Sequence, residues 1–409
     1  MKGNILIGQS GGPTSVINSS LAGAFKAAKD LGIEKIYGMR YGIQGFIKGN
    51  FIDMSDFIKN ELDLELLKHT PSSFLGSCRY KLKNHEENTE DYEIIIKRLN
   101  ELNIKYVLYI GGNDSMDTIM KLSAYGESIG SDIRFIGVPK TIDNDLMATD
   151  HCPGFGSAAK YIASTVKEVI RDSKVYDMKS VTVVEIMGRN AGWLAASAAL
   201  AESDNSFGPD MIYLPEKAFD TEDFLNRVDT LANERHNIIV AISEGIKSKD
   251  GKYISEGVDG TKGSVDIFGH TMLGGTAITL STLIGSNLGL KSRGIVLSTL
   301  QRSAAHMMSK CDMDEAFSAG VAGVKYALDG KSGIMVTFER ISDNPYFIKT
   351  GFADIKTIAN EEKMVPSDWI LQGGLLKTDE LKKYISPLIQ GEAYPIMADG
   401  VPRHLTVER

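Results

Sequence analysis

Cysteine is scarce: Cys78, Cys152 and Cys311 are the whole complement, scattered, odd in number and without CxxC spacing. A disulfide framework or a thiolate metal site is therefore not expected, and the three read as reduced, packed thiols. No uninterrupted apolar run approaches the roughly 18 residues of a membrane span. Residues 1–7 pass from one lysine into a strand pattern, without the long apolar stretch of a signal peptide. No membrane partner and a cytoplasmic location are the expectation. An excess of basic charge is also missing. A formal net charge of -8 argues against a nucleic-acid surface, so any anion site must be local. Histidine shows no HExxH or similar ligand spacing, and His151, His270 and His306 read more readily as polar residues near turns than as substrate contacts. No Pro-rich or Gly/Ser-rich linker divides the 409 residues, a length that calls for two lobes, interwoven rather than strung out.

Short apolar runs bounded by glycine recur at 4–7, 107–110, 135–138, 181–186, 238–242 and 294–297, each followed by an amphipathic or alanine-rich stretch. This alternation predicts an α/β fold of two Rossmann-like lobes, with mainly parallel sheets flanked by helices. Helices are expected at 15–31, 91–102, 115–126, 156–171, 190–201, 221–235 and 313–328. Residues 62–90 break the rhythm and read as a long functional loop. The segment from 371 onward lacks strong periodicity and is assigned no catalytic role.

Ligands of such folds bind at the carboxyl ends of strands, and the motifs sit there. GQSGGPTSVIN (8–18) follows a strand and opens a helix, letting backbone N–H groups approach a phosphate, although its glycine spacing is not that of a dinucleotide fingerprint or a Walker A loop. DGKSG near Lys331 also fails as a Walker A, and Lys331 reads as a residue of a helix C-terminal turn. In YIGGNDS, Gly111 and Gly112 precede Asn113 and Asp114; the Asp114 carboxylate suits Mg²⁺, which takes one or two carboxylates plus phosphate oxygens, or it caps a helix. In PKTIDND, Asp143 and Asp145 would share one side of an extended segment, a repulsion that Lys140 and a divalent cation could offset. One carboxylate could take a hydroxyl proton while the other holds the metal; the alternative is a solvated acidic turn. Arg79, Arg189 and Arg302 at loop positions offer planar forks for phosphate, and Glu244 lies at another strand mouth, where it could equally start a helix.

ILIGQSGGPT, FLGSCR, YIGGNDS, PKTIDND, VVEIMGRNAG, AISEG and LQRS occur in the order and approximate spacing of phosphofructokinases, over roughly residues 1 to 370. The resemblance implies the phosphofructokinase fold. It implies a phosphate-donor lobe at 1–150, with 305–370 returning to it in part, a sugar-phosphate lobe at 151–304, and a C-terminal extension at 371–409. It also implies that Asp143 is the general base on the C1 hydroxyl of fructose 6-phosphate, with Thr141 near the transferred phosphoryl group. Asp114 and Asp145 would hold Mg²⁺. Gly12, Gly111 and Arg79 match donor-phosphate contacts, Arg79 also stabilising transition-state charge. Met187, Gly188 and Arg189 match the sugar-binding loop, Glu244 a sugar-hydroxyl contact and Arg302 a 6-phosphate ligand, with Lys310 a further candidate.

ATP-using relatives usually show GGDGS and a glycine before TIDND, whereas Asp114 and Lys140 stand at those glycine positions here. A carboxylate there would repel the α-phosphate of ATP, and a lysine would serve a short, highly anionic donor. The resemblance is thus to the pyrophosphate-dependent branch, reversible enzymes of glycolysis and gluconeogenesis, and implies a homodimer or homotetramer. Asn113, in place of an aspartate of the ATP branch, would shift metal binding toward Asp114 and Asp145. Ser180 stands where many relatives have an arginine reaching a neighbouring subunit's sugar phosphate, with Lys179 beside it. The rival readings are an ATP-dependent 6-phosphofructokinase and a noncatalytic regulatory subunit.

Overall fold

In the computed structural model, residues 3–203, 206–257 and 274–407 are described. Along the chain the main strands are β1 (Asn4–Gln9), β2 (Ile36–Met39), β3 (Phe51–Asp53), β4 (Ile104–Gly111), β5 (Arg134–Pro139), β6 (Ser180–Ile186), β7 (Met211–Tyr213), β8 (Asn237–Ser243), β9 (Lys291–Val296), β10 (Ile334–Asp343) and β11 (Tyr346–Asp354). The α-helices are α1 (Ile17–Asp30), α2 (Gly42–Ile47), α3 (Glu61–His69), α4 (Thr89–Glu101), α5 (Asn113–Ser128), α6 (Phe155–Ser173), α7 (Trp193–Ser197), α8 (Thr221–Glu234), α9 (Thr276–Leu288), α10 (Leu300–Ser303), α11 (Lys310–Leu328) and α12 (Thr378–Ile385).

Two sheets organise the molecule. One is seven-stranded in the order β11-β10-β5-β4-β1-β2-β3, parallel except at its two outermost pairings. The other is four-stranded, β7-β8-β6-β9, and wholly parallel. Runs such as Ile5, Leu6 and Ile7 or Val181, Val183 and Val184 are buried because helices cover both faces of each sheet. On one face of the larger sheet α1 packs against α11 so closely that a Cβ on Gly23 would lie 2.0 Å from the Phe317 carbonyl oxygen, and one on Gly320 equally close to that of Ser20.

Several expectations need correction. The predicted loop at 62–90 begins as helix α3, because Asn60 accepts from the Asp63 amide as an N-cap and Leu64 and Leu67 recur on a buried face. The predicted helix at 190–201 starts only at Trp193 and ends as a 3-10 turn, Ala198–Ala201, leaving Arg189, Asn190 and Ala191 as loop. Helix α9, absent from the sequence reading, is held at its amino end by the buried Glu185 carboxylate, which accepts from the Gly275 and Ala277 amides at 3.1 and 2.8 Å. The segment after 371 carries α12, whose Leu381 and Ile385 join the core between α6, α7 and the second sheet. Among the described residues no helix is long and apolar enough to cross a membrane.

Candidate active site

The carboxyl ends of strands from both sheets open onto a cavity of about 640 Å³. The Gly11–Gly12 turn after β1 and the first turn of α5 form one side. Met187 and Arg189 after β6, Glu244 after β8 and Arg302 in α10 form the other, and the PKTIDND segment after β5 lies between. Among the sequence-derived site residues, Gly12, Arg79, Asp114, Lys140, Thr141, Asp143, Asp145, Met187, Arg189, Glu244 and Arg302 all line it. Gly111 closes β4 one residue behind the rim, and Gly188 lies inside its loop, where its carbonyl accepts from the Ser243 hydroxyl. Reasoning from sequence missed Lys81, Asn190, Asn360 and Glu362, which also line the cavity.

The two sides meet at Gly12. A Cβ there would sit 3.0 Å from Arg302 Nη1, so a glycine lets a guanidinium from α10 reach the turn after β1. From below, Lys140, 2% exposed, donates to the Gly12 carbonyl at 2.6 Å. Burial pulls its ammonium down to about 8 against the opposing pull of Asp143 and Asp145. Burial also disfavours the charge on Arg302, and Arg79 repels it. Cations crowded at a concave surface of an acidic protein mark an anion site.

The carboxylates are crowded in turn. Burial and Glu244 raise Asp143 to about 6, against Lys140, Arg189 and Arg302. Burial and Asp143 raise Asp145 to about 7. Burial and Glu185 raise Glu244 to about 7. Such displacement toward neutrality characterises groups poised for proton transfer or for a cation. The extended arrangement expected for Asp143 and Asp145 is not found: Asn144 between them has φ +57°, a left-handed turn that asparagine tolerates well. The relative placement of the two carboxylates is set by this bend rather than by strand alternation.

Asp114 is not a helix cap. Gly112 holds the cap position and Asp114 lies in the first turn of α5, its side chain exposed at the cavity. Asn113 has a role that an aspartate could not fill. Its Oδ1 accepts from the Asn360 amide at 2.7 Å while its Nδ2 donates to the Glu361 carbonyl at 2.6 Å. The segment 360–363 is thereby strapped across the cavity rim. Asn190, in the loop after β6, donates to Glu362 at 2.8 Å, and the Lys363 amide donates to the Asp145 carbonyl at 2.7 Å. Glu244 follows β8 as loop, not as a helix start.

Other candidates lie elsewhere. Lys310 pairs with Asp314 on α11, His306 is exposed in a 3-10 turn, and His151 is fixed between Asp150 and Glu315, none of them lining the cavity. Lys331 follows α11 and lies over the Phe352 ring, as a residue of a helix-end turn should. Ser180 and Lys179 stand at the amino end of β6, the opposite end from the cavity, where the Ser180 hydroxyl donates to Asn237. His270 falls outside the described residues. The three thiols are free, as expected from their spacing.

Whether Mg²⁺ fits can be tested on Asp145, whose Oδ1 is buried with no hydrogen-bond partner among the described residues. An anionic oxygen left in that condition is costly and suits a hard cation, which would also relieve the repulsion between Asp143 and Asp145. The described residues contain no group of three or more metal-type side chains. The two carboxylates Asp114 and Asp145 at the cavity suit a cation that takes most of its ligands from phosphate and water.

The sequence matches the model of the family described as Phosphofructokinase over residues 4–296. It is 40% identical over 408 residues, 99% of this chain and 96% of the relative, to the pyrophosphate–fructose 6-phosphate 1-phosphotransferase of Methylococcus capsulatus. A protein of the same name from Halomonas elongata is 40% identical over 98% of this chain and 95% of its own length. Among solved structures, the pyrophosphate-dependent phosphofructokinase of Nitrosospira multiformis superposes with a TM-score of 0.89 at 39% identity, covering 100% of this chain and 97% of that one. With the motifs assembled in one cavity between two parallel sheets and full-length relatives on both counts, the chain belongs to the phosphofructokinase family.

Proposed function

We propose that the chain catalyses reversible, Mg²⁺-dependent phosphoryl transfer from pyrophosphate to the C1 hydroxyl of fructose 6-phosphate, giving fructose 1,6-bisphosphate and phosphate. The observation that carries the donor choice is the buried Lys140 seated under the Gly11–Gly12 turn, with Asp114 at the rim. A lysine at the floor offers charge to a short polyanion. A carboxylate at the rim repels a longer one. The names of the full-length relatives support the same reading.

In this reading Asp143 takes the hydroxyl proton, and its displacement to about 6 puts it in the range where a carboxylate is an effective base. Thr141, whose Oγ1 accepts from the Asp143 amide at 3.1 Å, orients that carboxylate and borders the transferred group. Arg79 and Lys140 balance charge as it develops on the phosphoryl oxygens. Gly12 and Gly111 supply the turns that admit the donor phosphates. Met187, Gly188, Arg189, Glu244 and Arg302 hold the sugar phosphate, the loop before Arg189 being fixed by the Met187 amide donating to Gln301 at 3.2 Å. Asp114 and Asp145 would hold Mg²⁺, which when bound neutralises phosphate oxygens. The donor lobe is then 1–150 with a returning segment from 305–370, and the sugar-phosphate lobe is 151–304. The same proposal places the enzyme in the cytoplasm, in glycolysis and gluconeogenesis, as a homodimer or homotetramer.

The test is to mix purified protein with fructose 6-phosphate and Mg²⁺ and compare fructose 1,6-bisphosphate formation from pyrophosphate and from ATP. Strong preference for pyrophosphate is expected. Preference for ATP would overturn the donor assignment and leave the base assignment standing, and silence with both would point to a regulatory subunit.

A further inference from the structure

Asn144 stands between the two central carboxylates, fully buried and in a left-handed conformation. Both ends of its amide are committed. Oδ1 accepts from the Cys152 amide at 3.0 Å, and Nδ2 donates to the Tyr384 hydroxyl at 2.8 Å. That hydroxyl in turn donates to the Asp150 carbonyl at 2.5 Å. One phenolic oxygen thus joins the bend that carries Asp143 and Asp145 to the stretch that leads into α6.

The phenol is itself immobilised. Helix α12 buries Leu381 and Ile385, and the Tyr384 ring packs on Trp193 at 5.1 Å between centroids. The Arg340 guanidinium lies over the Tyr384 ring, 5.0 Å from its centroid, and donates to the Tyr384 carbonyl at 3.0 Å. Lys363 approaches the same hydroxyl at 3.5 Å and donates to the Asp150 carbonyl at 2.7 Å. A side chain with two χ angles, held on its ring faces and by its oxygen, is a rigid post.

From this geometry we propose that Tyr384 is a positioning residue for phosphoryl transfer: it holds the Asn144 bend, and through it the Asp143 and Asp145 carboxylates, in the geometry the reaction uses. The proposal rests on the reading of Asp143 as the base. It assigns a function to a part of the chain whose sequence carries no catalytic motif. Removing the hydroxyl leaves the Asn144 amide without its acceptor and takes from the Asp150 carbonyl one of its two donors, the Lys363 ammonium remaining, while the ring stays packed.

The experiment compares the full-length protein with Tyr384→Phe and with Asn144→Gly, which keeps the left-handed turn and adds no charge, singly and combined. Turnover is expected to fall by about ten- to a hundredfold in each, the scale of a small misplacement of reacting groups, with KM for fructose 6-phosphate nearly unchanged. The double variant should be no worse than the poorer single, because both changes break one link. Amide hydrogen exchange in the peptide covering 139–152 should rise in every variant. Unchanged turnover and unchanged exchange in Tyr384→Phe would overturn the proposal, as would losses that multiply in the double variant. Should Tyr384→Phe fail to fold, Asn144→Gly, which retains the core ring, decides alone. An unsubstituted protein inactive with pyrophosphate would instead defeat the donor reading, and the exchange measurement would still judge the role of Tyr384.

Discussion

His151 is 1% exposed and sits between two carboxylates, with Nδ1 2.8 Å from Asp150 and Nε2 2.7 Å from Glu315. Arg340 donates to Asp150 through both Nε and Nη2, at 3.1 and 2.8 Å, and the Tyr346 hydroxyl donates to Glu315 at 2.7 Å. Cys311 on α11 also faces Glu315, and the Lys363 ammonium holds the Asp150 backbone. Burial alone would strip the imidazole of its proton, but the two carboxylates outweigh it and raise the group from 6.5 to about 9. A group raised on folding stabilises fully below its unfolded value and loses that contribution as pH rises through its folded value. Each pH unit of the gap is worth about 1.4 kcal/mol, so the cluster contributes about 3 kcal/mol below about pH 6.5 and well under 1 kcal/mol at about pH 9. Replacing His151 by glutamine keeps a polar side chain that does not titrate. Urea unfolding of both proteins across this window should show the difference in stability between parent and His151→Gln shrinking by about 3 kcal/mol toward alkaline pH. A difference that stays level from about pH 6 to pH 10 would refute the claim that a charged imidazole ties α6 to α11 and the β10–β11 hairpin.

Asp143→Ser should lower turnover by about 10²- to 10⁴-fold with little change in substrate affinity, the range for loss of a general base; steady-state kinetics showing a raised KM at full turnover would contradict the assignment. Asn113→Asp should cost about 1 kcal/mol, because a carboxylate oxygen then faces the Glu361 carbonyl that the amide now supplies. It should also speed exchange of the Asn360 amide, whose acceptor would be held less well, and exchange as slow as in the parent would show that the strap does not depend on that pair.

The central strands β1, β4, β5, β6 and β8 were legible because they are continuous apolar runs, and the cavity because glycine, carboxylate, lysine and arginine cluster at their carboxyl ends; the short buried strands β2 and β7 carry too few residues to show a run. The β10–β11 hairpin was not, since from Glu339 onward its residues alternate between exposed and half-buried and carry many polar side chains. Helix α9 escaped because threonine, isoleucine and serine crowd TAITLSTLIGSNL and its start depends on Glu185, a residue 91 positions earlier that no local pattern reveals. The rim residues Lys81, Asn360 and Glu362 lie in loops with no motif of their own. Asn113 looked like a weakened metal ligand until its two hydrogen bonds to the strap were visible. A sequence sign existed in retrospect: an amide can donate and accept at once, a carboxylate only accept.

The chain leaves the larger sheet at β5, builds the smaller one, and returns to lay β10 against β5 through Ile136 and Gly137. On a ribosome this order has a cost. Until residues 334–343 have been synthesised, β5 is a bare edge carrying unpaired backbone groups, the kind of edge that recruits strands from other nascent chains. The glycine-to-arginine meeting at the cavity likewise cannot form before Arg302 emerges. Translation speed across the second lobe therefore sets how long the half-made sheet stands open, and slow decoding there should favour aggregation without altering a single contact of the finished protein.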